Sequence, residues 1–170
     1  MNKYVISNSV ADMMMEADAA FYSGDRFVGV CQVSDTYHVS EQDEGQSSWI
    51  CVPEIHRNDI IVPGDVCIAF VHSAWITIPM VVSILYNALK TNGVTAELEN
   101  VNELTINELP IISIDVHRNY SSAFFFIHMY NSNDSERGFS VFPISDLDIE
   151  YSEIVEAMKD VFPKLSMEEQ

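Results

Sequence analysis

Apolar residues near the start of the chain recur at the spacing of one helix face. Val10, Met13, Met14, Ala17, Ala20 and Phe21 follow Ser9, a suitable N-cap, and precede Gly24, a suitable stop. A helix is therefore expected to about Tyr22, after a short apolar lead at residues 4–6, with Asp12 and Glu16 toward the positive end of its dipole. Residues 27–33 and 49–55, rich in Val, Phe, Trp and Ile, read as strands on either side of a polar stretch at 40–48.

Residues 66–89 carry no Asp, Glu, Lys or Arg and are long enough to span a bilayer. Their texture is not uniform, however. Residues 66–71 are β-rich, whereas Val82, Leu85, Tyr86 and Leu89 recur at helical spacing after the start signal Thr77-Ile78-Pro79. No Lys/Arg cluster flanks the run, so a buried strand followed by a buried helix is the expected reading, ending at Asn92-Gly93.

A strand is expected at 94–98, and from Glu97 to Glu108 the apolar positions are too sparse to choose between helix and strand. Residues 112–116 alternate apolar and polar, residues 123–130 are nearly continuous in apolar character, and 139–142 follow a turn-rich stretch. These three segments predict an antiparallel meander. A last helix is expected over 148–162, with Tyr151, Ile154, Val155, Met158, Val161 and Phe162 on one face. No repeat or linker divides the 170 residues. The predicted fold is thus one α+β domain over 1–170: a mostly antiparallel sheet of about five or six strands packed with about three helices, on one side or around its edge. Leu85 and Phe125 are expected in its core.

Charge narrows the range of partners. Asp and Glu number 26 against 8 Lys and Arg, a formal charge of −18, which argues against electrostatic binding of nucleic acid or an anionic membrane. The expected partner is a basic protein. The N-terminal residues lack a basic region followed by a continuous apolar stretch, so a cytoplasmic location is expected. Cys31, Cys51 and Cys67, odd in number and set among apolar neighbours, are then expected to be reduced and buried.

The motifs that carry chemistry are missing. Five histidines and three cysteines form no C-x2-C, H-x3-H or H-E-x-x-H spacing, so no metal is expected. There is no G-x-S-x-G, P-loop or G-x-G-x-x-G, so neither a cofactor nor enzymatic activity is expected. His72-Ser73, at a strand end before a helix, is the residual catalytic candidate, and a pocket near His72, His117 or His128 is what an enzyme would require.

Two stretches pair aromatic anchors with carboxylates, as docking surfaces do: Tyr37 and Trp49 around Glu41, Asp43 and Glu44, and Tyr151 between Glu150 and Glu153. In size, acidity and α+β texture the whole chain resembles bacterial immunity proteins in character, though no motif carries the likeness. That resemblance implies an antitoxin: an inhibitor that docks on a basic nuclease-type toxin domain and occludes its active or substrate-binding surface, with association sped by complementary charge. Two alternatives stay open beside it. One is a phage-type nucleic-acid mimic that inhibits a host defence protein, and the other is a small enzyme or ligand-binding protein with a site near His72. A charge that serves solubility alone also accounts for the composition.

Overall fold

The structure, a computed structural model, describes residues 2–7, 9–38, 60–131, 139–147, 152–154 and 156. Strand β1 (Asn2–Ser7) leads into helix α1 (Val10–Ser23) and strand β2 (Arg26–Gln32). Asp12 N–H donates to the Ser9 side chain at 3.2 Å, and Gly24 closes α1 in the left-handed region at φ 82°. The short strands β3 (Tyr37–His38) and β4 (Ile60–Ile61) pair with each other. Next come β5 (Val66–Ser73) and α2 (Ile78–Thr91). Thr77 caps α2, and Pro79 sits in its first turn, where a missing N–H breaks no helical bond. The uncharged run of 66–89 is thus a strand and a helix, as its texture predicted. Among the described residues no helix is long and apolar enough to cross a membrane.

Strands β6 (Glu97–Asn100), β7 (Glu103–Ile106), β8 (Leu109–Arg118) and β9 (Ser122–Met129) complete a seven-stranded sheet of order β1-β2-β5-β9-β8-β7-β6. Only the β1–β2 pair is parallel, joined by α1 as the crossover, and the other pairings in the sheet are antiparallel.

Alternate residues of β5 face opposite layers. Val66, Ile68 and Phe70 pack with Val81, Val82, Leu85 and Leu89 of α2, while Cys67, Ala69 and Val71 pack with Met13, Ala17 and Phe21 of α1. Gly29 lets α1 approach β2 closely, since a Cβ there would lie 2.8 Å from Met13 Cγ. The helices are displaced in opposite directions: α1 packs on β1, β2, β5 and β9, whereas α2 reaches β7 and β8 on the other face. On that side α1 meets the C-terminal end of β8, where Phe21 packs on His117, and does not extend over β7.

The single α+β, mostly antiparallel class agrees with the sequence reading, and Leu85 and Phe125 are fully buried. Three details differ. The sheet has seven strands rather than five or six, because the lead at residues 2–7 and the glutamate-rich segment both enter it. The two long helices cover opposite faces rather than one side. Residues 139–142 form no strand, because β8 and β9 already have neighbours on both edges and leave no free edge for a meander. The expected strand at 49–55 and the connector at 40–48 lie outside the described residues. Of the expected last helix, residues 152–154 and 156 are described, and they are helical.

The β7–β8 hairpin turns through Asn107 at φ 53° and Glu108 at φ 66°, two left-handed residues as in a type I′ turn. Asparagine tolerates this region, but the glutamate Cβ is strained there. Glu108→Gly is expected to raise the unfolding free energy by about 0.5–1 kcal/mol, read by urea denaturation. An unchanged or lower midpoint would contradict the strain.

Candidate functional site

Strand register places one residue of each of the seven strands in a single row across the sheet. Ser7 pairs with Cys31, Cys31 with Cys67, Cys67 with His128, His128 with Ser113, Ser113 with Glu103, and Glu103 with Asn100. Residues directly opposite in register share a face, so the whole row lies on the α1 side. Each member carries a heteroatom, although the strands around it are built of Val, Ile and Phe. Five successive members, from Cys31 to Glu103, are buried, and Glu103 is 5% exposed.

Asp65 anchors the middle of the row. Val62, Pro63, Gly64 and Asp65 form a turn in which Asp65 N–H donates to the Val62 carbonyl at 3.2 Å, with Gly64 at φ 95°. Proline second and left-handed glycine third are what a type II turn requires. The turn delivers the Asp65 carboxylate, fully buried, to the end of β9. There Oδ2 accepts from His128 Nε2–H at 2.7 Å, and Oδ1 accepts from the Asn131 backbone N–H at 2.9 Å. An ionised carboxylate only accepts, so this contact assigns a proton to His128 Nε2.

The Tyr130 ring lies 4.3 Å from that of His128, and its hydroxyl and Ser113 Oγ are 2.9 Å apart. Buried polar groups in such a sheet persist because they satisfy one another. Burial pushes the Cys31 thiol up to about 11, which keeps it protonated and inert at neutral pH. Cys31 and Cys67 are directly opposite each other and are not joined by a disulfide.

Cations stand elsewhere. Arg26 Nη2–H donates to Ser73 Oγ at 2.7 Å, and Arg118 Nη1–H donates to the Ala74 carbonyl at 2.7 Å and to that of Ile76. Both guanidiniums serve the far end of β5, roughly 25 Å along the strand from Asp65. Lys3 pairs with Glu16 at 3.1 Å near the β1 edge. Among the described residues, the α1 side of β9, β8 and β7 holds no Lys or Arg.

Two hollows open among the described residues, one of ≈ 110 Å³ beside Ser9 and Val33 and one of ≈ 240 Å³ beside Lys3 and Arg26. Both are smaller than pockets that enclose a cofactor-sized ligand. Among the described residues no three His, Cys, Asp or Glu side chains converge as a metal-holding set.

The sequence-derived candidates are placed as follows. Tyr37 belongs to β3 and pairs with Ile61, and Glu153 is exposed. Glu41, Asp43, Glu44, Trp49, Glu150 and Tyr151 lie outside the described residues. His72 is buried on the α2 side, where its Nδ1 accepts from Ser73 N–H at 2.7 Å and its ring meets Phe70 and Trp75. His117 packs on Phe21 at 5.1 Å. The three histidines therefore do not meet in one site. Asp65 and Glu103 were missed by sequence reasoning. The Pro63-Gly64 turn signal was available for Asp65, but the partner of either carboxylate depends on pairing across the sheet.

No family model matches the chain, and no curated protein matches it in sequence. Solved structures do. The fold of the whole chain is similar to that of LipL1 from P. falciparum in complex with lipoate, at TM-score 0.70 and 10% identity, and the chain spans 64% of that protein's length. It is also similar to a bi-partite lipoate protein ligase of an archaeal lipoylation system from Thermoplasma acidophilum. That likeness has TM-score 0.63 and 12% identity, covering 96% of this chain and 82% of the other. A biotin acetyl coenzyme A carboxylase synthetase from Helicobacter pylori with bound biotinylated ATP matches at TM-score 0.56 and 14% identity, covering 96% and 73%.

These likenesses overturn the reading of the chain as an immunity protein or toxin-neutralising antitoxin, because the fold is one used by lipoate and biotin ligases. The expectation of no enzymatic activity is corrected with it, because solved structures that share this fold include ligases and a synthetase. The physical reason is that size and net charge report on solubility and association, not on fold.

Two outcomes test the row. Asp65→Ala is expected to cost about 3–5 kcal/mol in urea denaturation by stranding His128, and Asp65→Ala with His128→Phe should cost clearly less than the two single losses combined. Additive losses would show that the contact is not coupled. The Cys31 shift acts above neutrality. With its pKa raised from 9.0 to about 11, the buried thiol's contribution to stability is whole below pH 9 and is lost as pH rises through 11. The fall in Tm between pH 9 and 11 should therefore be smaller in Cys31→Ala than in the parent, and equal falls would refute it.

Proposed function

We propose that this chain is a ligase-type protein that handles a small carboxylic-acid cofactor of the lipoate or biotin kind. In this reading the acid binds against the α1 side of β9, β8 and β7 and is passed on to a protein acceptor. The observation that carries the proposal is the likeness of the entire chain, at TM-score 0.70, to a lipoate-bound protein, together with the likeness to a biotin-handling synthetase. The polar row supports the location. Its Ser113 and Glu103 end lies beyond the part of the sheet that α1 covers, and ligand sites combine an apolar surface with a few convergent polar groups.

A specific observation favours shared labour. Activating an acid with ATP gathers phosphate charge, which enzymes meet with Lys, Arg or a metal ion. Among the described residues Arg26 and Arg118 sit at the other end of β5, Lys3 pairs with Glu16 at the surface and Lys90 is exposed in the last turn of α2, while Arg57, Arg137, Lys159 and Lys164 lie outside the described residues. This supports a reading in which a second protein supplies the positive charge, as one part of a bi-partite ligase would. The net charge of −18 then serves to draw in that partner, which is expected to be basic. Cysteines that face each other across β2 and β5 without forming a disulfide suit a reducing compartment, and the proposal places the protein in the cytoplasm.

Thermal unfolding with lipoic acid, biotin or octanoic acid, each with and without MgATP, tests the reading. An acid at 100 times its Kd contributes about 2.7 kcal/mol, which raises Tm by roughly 5–10 °C in a chain of this size. MgATP alone is expected to leave Tm unchanged. If none of the three acids shifts Tm at millimolar concentration, the cofactor reading is wrong. A full shift with MgATP alone would remove the argument for a second part.

A further inference from the structure

We infer that the head group received at the polar row is rich in N–H donors, of the ureido or amide kind, rather than an apolar ring; the inference rests on the cofactor reading above. The chemistry of the row is acceptor-heavy. Asp65 and Glu103 offer carboxylate oxygens, and Ser113, Thr105 and Tyr130 offer hydroxyls that both donate and accept. Leu104 and Ile106 turn into the α2 core, so Glu103 and Thr105, which alternate with them along β7, face the α1 side with Ser113, although the register with β8 shifts between Leu104 and Thr105. Glu103, Ser113 and Asp65 have interactions of their own. Thr105 differs: it is 1% exposed, and its Oγ1 makes no hydrogen bond among the described residues.

A buried hydroxyl without a partner is costly, so a ligand group that satisfies it binds with an advantage. The sign of the charge gives the second constraint. With carboxylates in the row and no Lys or Arg beside it among the described residues, a ligand's own carboxylate is disfavoured there and N–H donors are favoured. Of the two cofactor chemistries handled by proteins of this fold, the ureido ring of biotin presents two N–H donors and one carbonyl. The dithiolane of lipoate presents neither. A dithiolane would leave the Thr105 hydroxyl without a partner, whereas a ureido ring would supply one. The acid chain of either molecule must then point away from Glu103 and Asp65. Thr105 is accordingly a specificity-determining residue, not a catalytic one.

The test is calorimetric titration of the whole chain with biotin, lipoic acid and octanoic acid, repeated on Thr105→Val, which keeps shape and removes the hydroxyl. Biotin is expected to bind at least about tenfold more tightly than lipoic acid, because a site built to hydrogen-bond rejects an analogue that lacks the bond. Thr105→Val should weaken biotin about 3- to 10-fold, one hydrogen bond's worth, and leave lipoic acid unchanged. Equal or tighter binding of lipoic acid by the parent chain overturns this inference while leaving the cofactor reading intact. So does an equal effect of Thr105→Val on both acids, or no effect on either. Binding of none of the three acids overturns the cofactor reading, and this inference with it. The comparison of acids on the parent chain needs no variant, so a folding defect in Thr105→Val does not obscure the result.

Discussion

The pairing of β5 with β9 is the constraint on which the other layers depend. Every residue of both strands is buried, so the sheet must be covered on both faces along its centre. Helix α1 covers one face and α2 the other, and they draw on alternate residues of the same strand. Any polar side chain in these two strands is thereby enclosed and must find a partner inside. Cys67, His72, Ser73 and His128 are such residues, and the Asp65–His128 contact is the consequence for one of them; Ser122 is the exception, its enclosed Oγ making no hydrogen bond among the described residues.

That contact ties three parts of the chain together. It joins the turn before β5 to the end of β9, and the second carboxylate oxygen holds the backbone at Asn131, where the chain leaves the sheet. Tyr130 and Ser113 extend the polar cluster toward Glu103, across strands that are apolar on their other face. The row thus crosses from the part of the sheet under α1 toward β7, over which α1 does not extend. A polar path of this kind costs stability unless each member is satisfied, and such rule-breaking is common where a fold carries a function. At the opposite end of β5, Arg26 holds the Ser73 hydroxyl and Arg118 the backbone carbonyls of the link into α2, which leaves the row without a described cation. The division of charge bears on what the site accepts more directly than the net charge does.

The acidic composition pointed toward an inhibitor, and the fold points elsewhere. A formal charge of −18 sets the field felt by a partner, but carboxylates on a surface are compatible with any fold beneath them. The anchor-and-charge patches around Trp49 and Tyr151 were inferred from neighbours in sequence alone. Asp65 and Glu103, by contrast, are 38 positions apart in the chain, and one reaches the row through His128 while the other belongs to it only because β5, β9, β8 and β7 pair in a particular register.

Local elements were legible because their causes are local. Ser9 and Gly24 bound α1, Thr77 and Pro79 start α2, and the apolar period between them identifies the buried face before any partner is known. The β7–β8 hairpin was hidden because Asn107-Glu108 lacks the glycine that usually marks its turn. The parallel place of β1, the missing third strand at 139–142, the helices on opposite faces and the seven-residue row were decided by tertiary structure. Each depends on which strand edges are free and on a register with period two. Both are set by contacts between segments far apart in the chain, on which residue spacing within one segment carries no information.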